Sequence, residues 1–335
     1  MTIVDAFNRP LRNLRISVID QCNLRCTYCM PAEVFGRDYA FLPQNQLLTF
    51  EEIERLVKIF ASLGTEKIRL TGGEPLLRKG LPQLIEKLLK VEGIQEVSLT
   101  TNGILLGAYA EQLKNAGLKR INVSLDSLDC KTYGEMNGRH FPVEKVLRSI
   151  EKASATGLHI KINMVVQKGI NEHDIIPMTK YCFEKGYTLR FIEYMDVGNT
   201  NRWNMAQVVP NQHILEMIHK EIPVQSVVSN DNGEVAKRYK YVGTNKEIGF
   251  ISSVTEAFCS DCNRARISAD GKLYTCLFAT TGTDVKAILQ NQCDEEVKLQ
   301  LMNIWRYRHD RYSEERNTLN EKRSSNKIEM SYIGG

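Results

Sequence analysis

The chain contains 335 residues, of which 42% are hydrophobic and 25% are charged. This composition is typical of a globular protein of about two domains and excludes general disorder. The formal net charge of +4 gives no support to binding of nucleic acid or an anionic membrane. No apolar run approaches the ~18 residues of a membrane span, and the first ten residues lack the apolar core of a signal peptide. We therefore expect a cytoplasmic protein.

Predicted strands and helices alternate over the first two-thirds of the chain. Thr49 and Glu52 form a candidate capping box at the start of one helix, and Gly64 follows its apolar stripe. Strand-like runs begin near Leu14, Lys67, Gln95, Lys119, His159 and Thr188. Repeated strand–helix units predict parallel strands with helical crossovers. We expect an α/β fold, an incomplete (β/α)6 TIM-type barrel; a doubly wound sheet is the competing topology.

The alternation stops after a predicted helix near Ile214, because residues 221–237 are polar and rich in turn-forming residues. We place a domain boundary there, with the partial barrel over residues 1–222 and a C-terminal α+β domain over residues 223–335. The stretch from 305 to 327 is dense in charge of both signs. Basic residues beside aromatic ones can bind nucleic acid, but the interspersed acidic residues favour a solvated helix face.

The nine cysteines are the most informative feature of the composition. A large chain in a reducing compartment uses clustered cysteines for metal binding or chemistry rather than for disulfides. Six of them form a first triplet (Cys22, Cys26 and Cys29) and a second triplet (Cys259, Cys262 and Cys276). The other three are scattered, and the position of Cys182 on a helical apolar stripe predicts a core residue.

The first triplet follows the first predicted strand, which places it at the barrel mouth where enzymes of this architecture hold their chemistry. Three thiolates can hold three irons of a four-iron cluster and leave the fourth iron open. A closed zinc site is the alternative, but it usually needs four ligands and no fourth ligand lies nearby in the sequence.

The second triplet is followed by basic residues on the same predicted strand. Cys262, Arg264 and Arg266 alternate, so that their side chains share one face. Two arginines beside a metal site indicate an anionic ligand such as a phosphate. A zinc knuckle is the alternative for these cysteines.

The spacing Cys-x-x-x-Cys-x-x-Cys, with Thr71-Gly72-Gly73-Glu74-Pro75 after the second strand, resembles the radical S-adenosylmethionine enzymes. The segment from Phe258 to Phe278 resembles the branch of that superfamily that begins molybdenum cofactor biosynthesis. This resemblance implies S-adenosylmethionine and two [4Fe–4S] clusters, one on each triplet. It also implies a 5′-deoxyadenosyl radical that abstracts the ribose 3′ hydrogen of GTP. The product would be (8S)-3′,8-cyclo-7,8-dihydroguanosine 5′-triphosphate.

The same resemblance implies roles for individual residues. S-adenosylmethionine would contact Tyr28, Gly73, Ser124 and Met195. GTP would bind Arg15, Arg69, Thr100, Lys161, Arg264 and Arg266, with Arg190 as a further candidate. The terminal Gly334 and Gly335 would form a flexible finger that reaches the active site. The chain departs from the family at Ile19, Gln21 and Asn8, which touch the surroundings of the first cluster.

The implied partners are GTP, an electron donor and the cyclic pyranopterin monophosphate synthase, which would receive the product; a homodimer is a further expectation. No nucleic-acid or membrane partner is expected. The alternative function is a radical S-adenosylmethionine enzyme that modifies a peptide, since such enzymes also carry cysteine-rich C-terminal domains. A DNA-binding iron–sulfur regulator would need a DNA-binding motif, and we find none.

Overall fold

The computed structural model describes residues 2–227, 233–319 and 327–334, with only the backbone described for 317–319. Its strands are β1 Asn13–Ser17, β2 Lys67–Thr71, β3 Glu96–Thr101, β4 Arg120–Ser124, β5 His159–Val166, β6 Thr188–Glu193, β7 Val224–Val227, β8 Lys237–Tyr241, β9 Glu247–Ile251, β10 Arg264–Ile267, β11 Lys272–Tyr274 and β12 Thr283–Asp284. Its α-helices are α1 Phe50–Ser62, α2 Leu81–Leu89, α3 Leu106–Asn115, α4 Cys130–Met136, α5 Val143–Ala155, α6 Ile175–Lys185, α7 Asn211–Glu221, α8 Val285–Asn291, α9 Asp294–Arg306, α10 Tyr312–Leu319 and α11 Met330–Ile333.

The first six strands form a parallel sheet in chain order, each paired with the next. One or two helices connect each strand to its neighbour. Strand β6 pairs with β9 rather than with β1, so the six-stranded unit stays open. The predicted incomplete barrel is therefore confirmed, and the doubly wound sheet, which would change direction at a central strand, is excluded by the strand order.

The local signals in the sequence act as predicted at the helix ends. Thr49 and Glu52 form a complete capping box on α1, because each side chain bonds the backbone N–H of the other residue. Helix α6 ends at Gly186, whose φ of 73° lies in the left-handed region that glycine adopts without strain. Because such signals fix where a helix begins or ends, the chain turns between helix and sheet within a few residues.

The C-terminal strands extend the sheet at both of its edges. Strand β10 pairs in parallel with β1, and β9 pairs in parallel with β6. Beyond them, the antiparallel strands β11 and β12 complete one side and β8 and β7 the other. The C-terminal residues, which come after the last strand–helix unit, therefore pair with the barrel at both edges of its sheet.

The hydrophobic core lies between the parallel strands and the helices around them. Cys182 on α6 is fully buried in it, as predicted. The expectation of a solvated face near the C-terminus is wrong for Arg308 and Arg316, which are both only 4% exposed because each is held by buried partners. None of the helices in the described part of the chain combines the length and apolarity that crossing a bilayer requires.

Candidate functional site

The two triplets face one cavity of about 600 Å³ inside the open barrel. Side chains from β1 to β6 and from β8, β9 and β10 line it, so the sheet curves around this space. The predicted site residues that line it together are Cys22, Cys26, Tyr28, Cys29, Arg15, Arg69, Gly73, Thr100, Ser124, Lys161, Arg190, Met195, Cys259, Cys262, Arg264, Arg266 and Cys276. The fold therefore brings residues that are distant in sequence to one chamber.

The first triplet lies on a compact loop directly after β1. The backbone N–H groups of Cys29 and Met30 both donate to the carbonyl of Cys26. Arg25, which is buried, donates to the carbonyls of Cys22 and Phe35. Burial raises the pKa of the Cys22 thiol to about 11, so a bound metal is needed to hold these sulfurs as thiolates at neutral pH.

The turn Gly72–Pro75 packs on the segment that leads into the first triplet. A side chain at Gly73 would overlap the carbonyl of Gln21, which explains the need for glycine. The buried Glu74 carboxylate accepts from Thr101 Oγ1 and from the backbone N–H of Asn102. Asn102 Nδ2 lies 3.7 Å from the Sγ of Cys22. Glu74 thus connects the turn to a cysteine of the first triplet through β3.

Tyr28, within the first triplet, is oriented by a buried carboxylate. Its hydroxyl donates to Asp126 Oδ2 at 2.7 Å, and Asp126 Oδ1 accepts from the backbone N–H of Val165. Burial raises the pKa of Asp126 to about 6, although both hydrogen bonds lower it. The pair fixes the Tyr28 ring at the cavity wall between β4 and β5.

The second triplet lies at the opposite, basic side of the cavity. Cys259 begins a short 3-10 turn and Cys276 follows β11. Arg264 Nη2 and Arg308 Nη2 lie 3.6 and 3.3 Å from the Sγ of Cys262. Burial raises the pKa of this thiol, but the two guanidinium groups outweigh burial and lower it to about 6.

Three arginines stand side by side on adjacent strands between the triplets. Strand register places Arg15 of β1 directly between Arg266 of β10 and Arg69 of β2. Neighbouring strands are only about 4.8 Å apart, so these cations repel one another. Burial, and then Arg266 and Arg69, lower the pKa of Arg15. This arginine row is costly without a partner, and a polyanion would relieve its repulsion.

Several residues that line the cavity carry a buried polar atom with no hydrogen-bond partner among the described residues. These atoms include Arg69 Nε, Thr100 Oγ1, Asn163 Oδ1 and Arg190 Nε. Lys161 lies nearby, and burial together with Arg120 and Arg190 lowers its pKa to about 8. Buried polar groups are normally satisfied, so these atoms indicate where a polar ligand binds.

The C-terminal segment reaches the same chamber. The carbonyl of Gly334 accepts a hydrogen bond from Arg266 Nη1, and a side chain at Gly334 would overlap Thr71. Glu329 holds the segment through the N–H of Asn199 and the hydroxyl of Thr200. Gly335, the other predicted residue of the finger, lies outside the described residues.

Each triplet supplies three thiols, so a four-iron cluster at either one would take one thiolate on each of three irons. No three His, Cys, Asp or Glu side chains in the described ranges are close enough together to surround one metal ion. The three sulfurs of a cube instead bind three different irons, and each triplet presents three cysteines to the cavity. Cys22 and Cys29 both raise the pKa of Cys26, and Cys22 raises the pKa of Cys29, so the three side chains lie close together.

Sequence reasoning missed several polar residues of this site. Glu74 was noticed only as part of a motif, and Asp126, Asn163 and Arg308 were not singled out. Asp126 could have been found, because it lies just after the C-terminal end of β4, where such folds bind ligands. No local signal in the sequence points to Arg308, whose contact with Cys262 spans 46 residues.

Two family models match the chain. One, described as the Radical SAM superfamily, covers residues 16–182, and the other, described as Molybdenum Cofactor Synthesis C, covers residues 187–314. Among solved structures, Streptococcus suis SuiB bound to S-adenosylmethionine has a TM-score of 0.64 at 16% identity, over 92% of this chain and 69% of that chain. The structure titled anSMEcpe with bound AdoMet has a TM-score of 0.51 at 22% identity, over 63% and 58%. These similarities support the fold.

Curated relatives match the chain over almost its full length. Proteins named GTP 3′,8-cyclase from Staphylococcus epidermidis, Staphylococcus haemolyticus and Staphylococcus aureus are each 48% identical to it over 336 aligned residues. Each alignment covers 99% of both chains. The chain therefore belongs to the GTP 3′,8-cyclase family of the radical SAM superfamily.

Proposed function

We propose that the chain is a GTP 3′,8-cyclase that uses S-adenosylmethionine and two [4Fe–4S] clusters. The observation that carries this proposal is the arginine row of Arg266, Arg15 and Arg69, which lies in the same cavity as both triplets. A triphosphate supplies the concentrated negative charge that such a row requires. A neutral peptide segment would leave these guanidinium groups buried without a counter-ion.

The first triplet is assigned to the cluster that binds S-adenosylmethionine. When bound, this cluster and cofactor supply the 5′-deoxyadenosyl radical that removes the ribose 3′ hydrogen. Tyr28, Gly73, Ser124 and Met195 lie on the cavity wall and are proposed to hold the cofactor.

The second triplet and the basic strands are assigned to GTP. The triphosphate would contact the arginine row and Lys161, while Arg190 and Thr100 offer further unpartnered polar atoms. Arg264 is positioned to interact with both the ligand and the second triplet. In this assignment, residues 1–222 generate the radical and residues 223–335 contribute the substrate-binding cluster.

Reconstitution under anaerobic conditions tests the proposal. Iron should be counted, and 5′-deoxyadenosine and cyclised nucleotide measured with GTP, ATP and a peptide panel. We expect about eight irons per chain and a cyclised product from GTP. About four irons with one zinc would refute the two-cluster assignment, and 5′-deoxyadenosine formation stimulated by a peptide but not by GTP would favour a peptide-modifying enzyme.

We further propose that an external electron donor reduces the first cluster and that the product passes to a cyclic pyranopterin monophosphate synthase. Both follow from the reaction, because radical formation consumes one electron, reduction of the cyclised radical to the dihydro product consumes a second electron with a proton, and the cyclised triphosphate is an intermediate. A homodimer is proposed as well. Measurement of the molar mass of the reconstituted protein in solution, with and without GTP, tests the dimer.

A further inference from the structure

The N-terminal segment, residues 2–12, packs against the second triplet before the chain enters β1. It folds back on itself through a bridge between Val4 and Pro10. Within it, the side chains of Asp5 and Arg9 are 0% and 1% exposed and form an ion pair of 2.6 Å. Arg9 Nη1 donates to the carbonyl of Cys259 at 2.7 Å. The beginning of the chain is thus bonded to a loop 250 residues away.

Arg308, which follows α9, contacts the same loop from the other side. Its Nη1 donates to the carbonyl of Cys262 at 2.7 Å, and its Nη2 lies 3.3 Å from the Sγ of Cys262. The side chain is 1% exposed, and its guanidinium group stacks over the Trp305 ring at 4.6 Å. Among the described residues, Arg308 is thus one of two guanidinium groups bonded to this sulfur.

Asp5 joins the two arginines. Its Oδ2 accepts from Arg9 Nε and lies 3.2 Å from Arg308 Nη1, while its Oδ1 accepts from the backbone N–H groups of Phe7 and Arg9. Trp305 Nε1 also donates to the carbonyl of Arg9. Every rotation of the Arg308 head group would therefore break a buried hydrogen bond, which leaves its Nη2 aimed at Cys262.

A rigid cationic donor beside a cluster sulfur has two physical effects. It orients the ligand before metal binds, and residues behind metal ligands commonly change metal affinity 10- to 100-fold. It also stabilises the more negative, reduced cluster, because hydrogen bonds to the sulfurs and nearby charge set the reduction potential. Arg264 has the same type of contact and both residues line the cavity, but the side chain of Arg308 is almost fully buried and is held by Asp5.

We propose that Arg308, held by Asp5 and Arg9, is a positioning residue of the second cluster that secures Cys262 and raises the reduction potential of that cluster. The N-terminal segment is then a structural part of the cluster site. This inference rests on the proposed function, because it requires a cluster on the second triplet. It assigns Arg308 a role that acts through Cys262 rather than through contact with GTP.

The test uses the full chain with Cys22, Cys26 and Cys29 replaced by alanine, so that only the second cluster is observed. In this background we compare Arg308→Gln, Arg308→Lys and Asp5→Asn. The matched control is Arg306→Gln, because Arg306 is an exposed residue at the C-terminal end of α9. The measurements are iron per chain, iron release to a chelator and the midpoint potential from an EPR-monitored titration.

We expect Arg308→Gln to release iron about 10- to 100-fold faster than the control and to lower the midpoint potential. Arg308→Lys should keep the fold and the charge but shift the potential in the same direction by less, because a compact ammonium group cannot span the separate positions from which Nη1 and Nη2 reach the carboxylate, the carbonyl and the sulfur. Asp5→Asn should also shift the midpoint potential, because the Arg308 guanidinium group would no longer be held by the carboxylate.

Equal iron release and equal potentials in Arg308→Lys, Arg308→Gln and the control would overturn the inference. That result leaves the proposed function intact if the wild-type chain cyclises GTP. Failure of the proposed function is seen separately, as a wild-type chain that holds no second cluster or forms no cyclised nucleotide.

Discussion

The two triplets have the same number of cysteines, but Cys22 of the first and Cys262 of the second have opposite electrostatic surroundings. Around Cys22, burial raises the pKa of the thiol and the Glu74 carboxylate raises it further, although Arg25 lowers it. Around the second, Arg264 and Arg308 lower the pKa of Cys262 despite its burial. This difference agrees with the proposed division of the chamber, in which the cationic cofactor lies near Cys22 and the anionic nucleotide near Cys262.

The largest expected effect on activity comes from removing one cysteine from each triplet in turn. Cys26→Ala should abolish cleavage of S-adenosylmethionine, whereas Cys262→Ala should keep cleavage but lose the cyclised product. Each variant should retain about four irons per chain. The measurement is iron content together with 5′-deoxyadenosine and cyclised nucleotide. Loss of cofactor cleavage in both variants would show that the triplets do not divide the work.

The next effect concerns the arginine row. Arg69→Gln should weaken GTP binding to the reconstituted enzyme about 10- to 100-fold, because a hydrogen bond to a charged group contributes about 1.5–3 kcal/mol. Arg12→Gln is the control, since Arg12 is 42% exposed and pairs with Glu66 outside the cavity. Calorimetry without S-adenosylmethionine measures the affinity. Equal affinities in the two variants would contradict placement of the triphosphate on this row.

A smaller effect, confined to the first triplet, is expected from Glu74→Gln. An amide cannot accept from Leu76, Thr101 and Asn102 together as the carboxylate does. The loop behind Cys22 should loosen, so the first cluster should lose iron about tenfold faster while the second is unchanged. Chelator kinetics in variants that hold a single cluster measure this, with the exposed Glu51→Gln as the control. Equal acceleration at both clusters would mean that Glu74 supports the whole fold.

The smallest effect is the pH dependence of GTP binding on the basic side. Burial and then Arg120 and Arg190 lower the pKa of Lys161 to about 8, so the free protein loses this cation as pH rises above that value. The triphosphate favours the protonated form, and affinity should fall by up to about tenfold per pH unit above the pKa. Lys161→Arg should remove this contribution, because guanidinium stays charged. Parallel titrations from pH 7 to 9 that give the same slope for both proteins would exclude Lys161 as a phosphate ligand.

Much of the barrel was predictable because its signals are local. The capping box at Thr49, the glycine end at Gly186 and the apolar runs of β1 to β6 act over a few residues, and each produced the predicted element. The β7 strand was missed, since the polar segment after residue 221 lacks the alternation expected of a half-buried strand. This segment forms a strand by pairing with β8, although its own sequence does not indicate one.

The candidate site was predictable where its residues form motifs or match the family that the sequence resembles. Spacing identified both triplets, and the resemblance identified the turn at Gly73 and the basic residues of the strands. The charge-dense stretch near the C-terminus was interpreted as solvated, because sequence alone does not show that Asp5 and Asp196 are buried partners for Arg308 and Arg316. Long-range ion pairs leave no periodic signature in the chain.

The sequence by itself determined the order of strands and helices, the two sets of three thiols and the supply of cations. The tertiary structure decided how they combine: β10 lies beside β1 and β9 beside β6, which closes both triplets into one chamber. Register between strands placed Arg266, Arg15 and Arg69 in a row. The physical reason is that residue spacing indicates only contacts within a turn or a strand. A small net charge gives a strong local electrostatic field only where folding brings the charged residues together.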